Sequence, residues 1–118
     1  MATQLLETLN AIHHLGIVHN DIKHENCLYN TKTNQVTLID FDLAEYHKLG
    51  TLWKSSPIGT MCYLPPEMLN NEDVDHKGDL WRLGMMLAEI VLLTQLKDTK
   101  DAMHLHSISY ENLNRKAK

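Results

Sequence analysis

IVHNDIKHENCLYN, residues Ile17–Asn30, sets a histidine, an acid, a lysine and an amide at tight spacing between two apolar stretches. A solvated connector scatters its polar groups among Gly, Ser and Pro. Here Asp21, Lys23 and Asn26 fall within six residues of one loop, and the side chains look placed. Upstream, TQLLETLNAIHHLG (Thr3–Gly16) brings Leu5, Leu9 and Ile12 to one face, with Leu6 and His13 beside them. That spacing predicts an amphipathic helix, which Gly16 ends as a left-handed stop. Downstream, CLYN and QVTLID are short β-prone runs divided by TKTN. They read as a hairpin whose second strand delivers Asp40 at its end. Two carboxylates, an amide oxygen and an ammonium are thus expected to converge at one end of the hairpin. Few, hard oxygen ligands suit Mg²⁺, which keeps waters and shares phosphate oxygens. A lysine beside them suits a transferring phosphoryl group, where catalysis is mostly positioning and charge neutralisation.

From Phe41 to Tyr63 the apolar residues follow no clear period, and Gly50, Pro57 and Gly59 punctuate the stretch. An irregular segment of that length inside a compact domain is usually functional. PPEMLNNE, from Pro65, starts a short helix, since proline suits a first turn. DLWRLGMMLAEIVLL (Asp79–Leu93) reads as a strong helix with Asp79 as N-cap. Its apolar residues run nearly all the way round, the pattern of a helix buried on every side. The remainder, from Thr94, is polar and weakly periodic, with one loose helix expected.

The totals exclude several classes. An apolar content of 43% in 118 residues is that of one small globular domain or part of a larger one. A net charge of −4, with no basic cluster besides NRKAK at the end, argues against nucleic acid as a partner. No signal peptide and no apolar run of about 18–20 residues is present, so no membrane partner is expected. Two cysteines, Cys27 and Cys62, make no disulfide framework and point to a reducing cytoplasm or nucleus. Both read as small packed residues, as do Trp81, Met85 and Met86.

The order of motifs resembles the protein kinases. HNDIKHEN (His19–Asn26) is similar to the catalytic loop H-R-D-x-K-x-x-N, and DFD (Asp40–Asp42) stands where D-F-G belongs. GTMCYLPPE (Gly59–Glu67) resembles the end of an activation segment, with Pro65 in place of alanine. DLWRLG (Asp79–Gly84) resembles D-x-W-S-x-G at the start of the family's buried central helix. A lone Asp, Asn or His in a loop is ordinarily a turn or packing residue. Four motifs in order are far more specific than any one of them. More narrowly, HNDIKHENCLY is similar to the serine/threonine kinases of insect baculoviruses, which would make this a viral protein acting in a host cell.

The resemblance implies a fold that is mainly α with a small β-hairpin, the kinase large (C-terminal) lobe in truncated form. It implies the cofactors ATP and Mg²⁺. Asp21 would be the catalytic base, and Lys23 would act on and bind the γ-phosphate. Asn26 and Asp40 would hold metal and nucleotide, and Thr60 would position substrate. His19 would brace the loop, while Glu67 and Asp79 would be scaffold. Lysine at position 23 is the serine/threonine-kinase choice.

Three departures qualify this. Asn20 replaces an arginine that in many kinases pairs with a phosphorylated activation loop, which weakens control through Thr51, Ser55 or Ser56. Asp42 replaces a glycine, and aspartate adopts positive φ only at some cost. Finally, residues 1–118 contain no counterpart of the Gly-rich loop or the strand lysine of the small lobe. The whole chain therefore reads as a partial kinase domain, with two functions open. One is an incomplete or impaired serine/threonine kinase acting on a protein substrate. The other is a truncated pseudokinase module that binds and modulates a partner kinase.

Overall fold

Helix α1 (Ala2–His14) forms where the apolar spacing predicts it and buries Leu5, Leu9 and His13. The computed structural model describes residues 1–95, and the chain leaves α1 through Gly16 at φ +78°. Glycine alone takes that conformation freely. Strand β1 (Ile17–Val18) follows, and after the polar loop a 3-10 turn (His24–Asn26) leads into β2 (Cys27–Asn30).

Strand β2 pairs antiparallel with β3 (Gln35–Leu38), Cys27 opposite Leu38 and Asn30 opposite Gln35. The connecting turn follows from its asparagines. Asn30 Oδ1 accepts the amides of Lys32 and Thr33 at 2.9 and 3.3 Å, and Asn34 takes φ +57°. Along β3, Val36 and Leu38 are buried and alternate with exposed residues. Gln4 fastens α1 to this hairpin: its Nε2 donates to the Asn34 carbonyl at 2.7 Å and its Oε1 accepts the Val36 amide at 2.8 Å.

A second antiparallel pair was not expected. β4 (Glu45–Tyr46) lies beside β1, with Ile17 opposite Tyr46. The architecture is therefore a partial protein-kinase fold of mixed α/β type with small antiparallel sheets, rather than mainly α with one hairpin. Two-residue strands carry no periodicity for a sequence reading to detect. A bridge between Trp53 and Val74 orders the middle of the irregular segment. A 3-10 turn (Met61–Tyr63) then precedes α2 (Pro66–Leu69), which has proline in its first turn as expected.

Helix α3 spans Lys77–Gln95. Its first amide is capped by Asp75, whose Oδ1 accepts the Lys77 N–H at 2.9 Å. Asp79 is thus not the N-cap; it lies inside the first turn, buried, with its carboxylate engaged elsewhere. The described residues also do not cover the helix on every side. Leu83 and Met86 join Leu5, Leu9, Ile22, Val36 and Leu38 in the main core, whereas Leu80, Trp81, Val91 and Leu92 are 43–56% exposed. A smaller core of Leu64, Met68 and Val74, with Trp53, Ile58 and Met61 against it, supports the irregular segment. The loose helix expected after Thr94 falls almost wholly at positions 96–118, outside the described residues. Among the described residues no helix is long and apolar enough to cross a membrane.

Candidate active site

The polar loop is held from behind by α3. Asp79 Oδ2 accepts the His19 amide at 2.9 Å and Oδ1 accepts the Asn20 amide at 3.0 Å. His13 of α1 donates through Nε2 to the same Oδ2 at 2.9 Å. One buried carboxylate therefore satisfies two loop amides and an imidazole, the condition under which a buried charge is tolerated. Asn20 stands at φ +72°, which asparagine tolerates. Its Nδ2 donates to the Leu43 carbonyl at 3.1 Å and to Glu45 Oε1 at 3.3 Å, tying the loop to β4.

His19 is fully buried and uses both ring nitrogens. Nδ1 accepts the Asp21 amide at 3.1 Å, and Nε2 donates to the Ile39 carbonyl at 2.9 Å. Those two bonds specify one tautomer and one ring orientation. The ring also meets the edge of Phe41, with centroids 4.8 Å apart. The bracing expected of His19 is thus a set of three contacts.

Asp21 lies at the centre of the group that follows. Its Oδ1 accepts the Thr60 amide at 3.0 Å and the Thr60 hydroxyl at 2.8 Å. Lys23 Nζ donates to Thr60 Oγ1 at 2.8 Å and stands 3.7 Å from Asp21 Oδ2. Asn26 Nδ2 donates to the Asp21 carbonyl at 2.8 Å and to Oδ2 at 3.3 Å. Burial pushes the Asp21 carboxyl up. The Thr60 hydrogen bonds and the Lys23 charge outweigh it, and the carboxyl falls below the usual carboxylate range. Asp21 is an ionised acceptor at neutral pH.

Asp40 is tethered to this group through its neighbour, since the Ile39 amide donates to the Asn26 carbonyl at 2.8 Å. Asp40 is exposed and takes φ +60°, and its Oδ1 accepts the Asp42 amide at 3.3 Å. The positive φ expected at Asp42 therefore falls on Asp40, and Asp42 bears no such strain. Of the five candidate residues, Asp21, Lys23, Asn26 and Thr60 form one hydrogen-bonded set. Asp40 joins it by backbone only.

The donor set fits Mg²⁺. Asn26 spends its amide nitrogen on Asp21, so Oδ1 is the atom of its side chain that could take a metal, and Asp40 supplies an exposed carboxylate. Two protein oxygens are what Mg²⁺ takes when phosphates and water complete its shell. Nearby groups are inert by comparison. Burial pushes both the Cys27 and Cys62 thiols up, as befits packing residues. Tyr63 donates its hydroxyl to Glu89 Oε2 at 2.5 Å; burial and that bond raise the phenol well above its usual value. Asp79, a scaffold residue by the resemblance and an N-cap by its place in the sequence, holds the loop rather than the helix end. Arg82 escapes the sequence reading: it resembles an ordinary helical arginine, yet it is 1% exposed.

Comparison with known proteins follows the same lines. The family model for the protein kinase domain matches residues 1–117. The serine/threonine-protein kinase nekl-2 of Caenorhabditis elegans is 38% identical over 97 residues, 81% of this chain and 27% of that protein. The serine/threonine-protein kinase cds1 of Schizosaccharomyces pombe is 43% identical over 98 residues, 77% of this chain and 20% of that protein. Among solved structures, the Cydia pomonella granulovirus kinase PK-1 superposes with a TM-score of 0.67 at 34% identity, covering 77% of this chain and 33% of its own. The chain spans under a third of the length of these two curated relatives. It belongs to the protein kinase domain family.

Proposed function

We propose that this chain carries the catalytic and substrate-positioning part of a serine/threonine protein kinase, which transfers the γ-phosphoryl group of ATP to a protein hydroxyl. The observation that supports it most is the group at Asp21: an ionised carboxylate bonded to Thr60 and flanked by an ammonium 3.7 Å away. Asp21 orients the substrate hydroxyl and takes its proton as that oxygen bonds to the γ-phosphorus. The bond from that phosphorus to the β,γ-bridging oxygen breaks, and ADP leaves with its electron pair. Lys23 offsets charge on the transferring group, and Thr60 sets where the substrate backbone lies relative to Asp21. Asn26 and Asp40 would hold Mg²⁺, which when bound would neutralise charge on the phosphates. The lysine at position 23 and the serine/threonine kinases among the relatives support the choice of acceptor. The granulovirus kinase supports a viral origin and an intracellular site in a host cell.

Asp21→Asn tests this. It keeps shape and removes the base, so single-turnover transfer to a generic serine/threonine substrate should vanish while the fold is retained. Equal transfer by the variant and the parent would mean that the activity belongs to another kinase.

One observation favours the second reading, a module that binds and modulates a partner kinase. Leu80, Trp81, Val91 and Leu92 give α3 an exposed apolar stripe of the kind that partner proteins cover.

A further inference from the structure

Arg82 lies within the fold, an unfavourable place for a guanidinium unless its donors and charge are matched. Its Nη2 donates to the Ile58 carbonyl at 2.6 Å and lies 3.6 Å from Met68 Sδ. Nη1 has no hydrogen-bond partner among the described residues. It is pressed instead against Gly59: a methyl group there would stand 2.3 Å from Nη1 and 2.2 Å from the Asn20 carbonyl oxygen. Gly59 also takes φ +97°, so only glycine lets three pieces of chain meet at this point. These pieces are the guanidinium, the residue before Asp21 and the residue before Thr60. Two carboxylates favour the buried charge, Asp79 on the same helix and Asp21 on the loop. Each of these carboxylates also carries a second basic partner, Lys23 at 3.7 Å from Asp21 and His13 at 2.9 Å from Asp79.

We propose that Arg82 is a positioning residue for phosphoryl transfer: from the core side it clamps the Ile58–Gly59 backbone against the catalytic loop, so that Thr60 is delivered to Asp21. It acts through Thr60 and does not itself meet the substrate. The residue beside Asp21 in the chain, Asn20, is neutral, so the positive charge behind the catalytic loop comes from α3 instead. This inference rests on the phosphoryl-transfer reading. Its test is read from geometry alone, and a chain that transfers no phosphate leaves the test intact.

The test compares the 118-residue chain with Arg82→Met, which keeps the length and loses charge and fork, and Arg82→Lys, which keeps the charge. Amide exchange of Thr60 and the scalar coupling from its amide nitrogen to the Asp21 carboxyl carbon are followed, with amides of the β2–β3 hairpin as the folding control. In Arg82→Met, Thr60 exchange should quicken by about tenfold or more and the coupling should vanish, the hairpin amides staying as before. In Arg82→Lys, which keeps the charge without the fork, both should change in the same direction. A folded Arg82→Met in which both readouts match the parent would show Arg82 to be packing only. If that variant does not fold, the parent chain decides. A scalar coupling from an Arg82 Nη proton to the Ile58 carbonyl carbon, with slow exchange of that proton, is the expected result. Fast-exchanging, freely rotating Nη protons would overturn the proposal.

Discussion

Thr60 reaches Asp21 twice, through its amide and its hydroxyl, and between them these bonds help hold the carboxyl below its usual range against the upward push of burial. The sign follows from the depressed native value. The stabilisation is fully present above the ordinary carboxylate range and is lost as pH falls through the lowered value. Thr60→Val removes one of the two bonds. The Asp21 midpoint should therefore rise, and stability at neutral pH should fall by about 1 kcal/mol, measured by NMR titration and urea unfolding. An unchanged midpoint would mean that the Thr60 amide and the Lys23 and Arg82 charges keep Asp21 ionised without the hydroxyl. At this scale the sequence was legible wherever a residue's placement travels with its neighbours. Asp21, Lys23, Asn26 and Asp40 stand at fixed spacings within motifs, and Thr60 follows the glycine of one. What Asp79 and Arg82 hold was not legible, because each serves backbone far from it in the chain. Asp79 serves amides about 60 residues away, and nothing local distinguishes it from a helix cap.

Three of the elements depend on that single buried carboxylate. Asp79→Ala would leave the His19 and Asn20 amides and the His13 ring without their acceptor. Loss of one partner from a buried charged network costs about 3–5 kcal/mol, which in a domain this size should abolish cooperative unfolding. A variant with a sharp transition close to the parent's would show that water replaces the carboxylate. A second element-scale feature lies at the start of α3. His76 is buried, its ring nitrogens make no well-formed hydrogen bond among the described residues although the His47 backbone lies near, and its ring meets those of His13 and Trp53 at 5.1 Å. Burial lowers its pKa, with the neighbouring His13 acting in the same direction. A depressed histidine binds its proton more readily unfolded than folded. The stabilisation is thus complete above the ordinary imidazole range and declines as pH falls below it. Urea midpoints should drop on that acid side in the parent chain and flatten in His76→Phe; parallel curves would place the acid sensitivity elsewhere. Periodicity revealed α1, the hairpin and α3 because each repeats its signal over several residues. The β1–β4 pair stays hidden because β4 falls in the segment that read as irregular, and its register with β1, Val18 opposite Glu45, shows only in three dimensions.

For the molecule as a whole, the apolar content of α3 promised complete burial, yet Leu80, Trp81, Val91 and Leu92 are exposed. Sequence composition records that a face is apolar and is silent on what covers it. The chain spans only a fraction of the length of its kinase relatives, and nucleotide binding by these 118 residues alone is expected to be weak. Kinase chemistry depends on a well-held, in-line γ-phosphate, and loose positioning alone can lower a rate by about 100-fold. Transfer by the isolated chain should accordingly be slow. The central claim is that the catalytic loop and Asp40 together face a magnesium-bound phosphate. It is tested most directly by adding Mg²⁺–ATP to the isotope-labelled chain and following backbone and side-chain NMR signals. Shifts at millimolar nucleotide should concentrate at Lys23, Asn26 and Asp40, require the metal, and disappear in Asp40→Asn. Shifts that persist in Asp40→Asn, or that gather on the exposed face of α3 with none at these three residues, would contradict it.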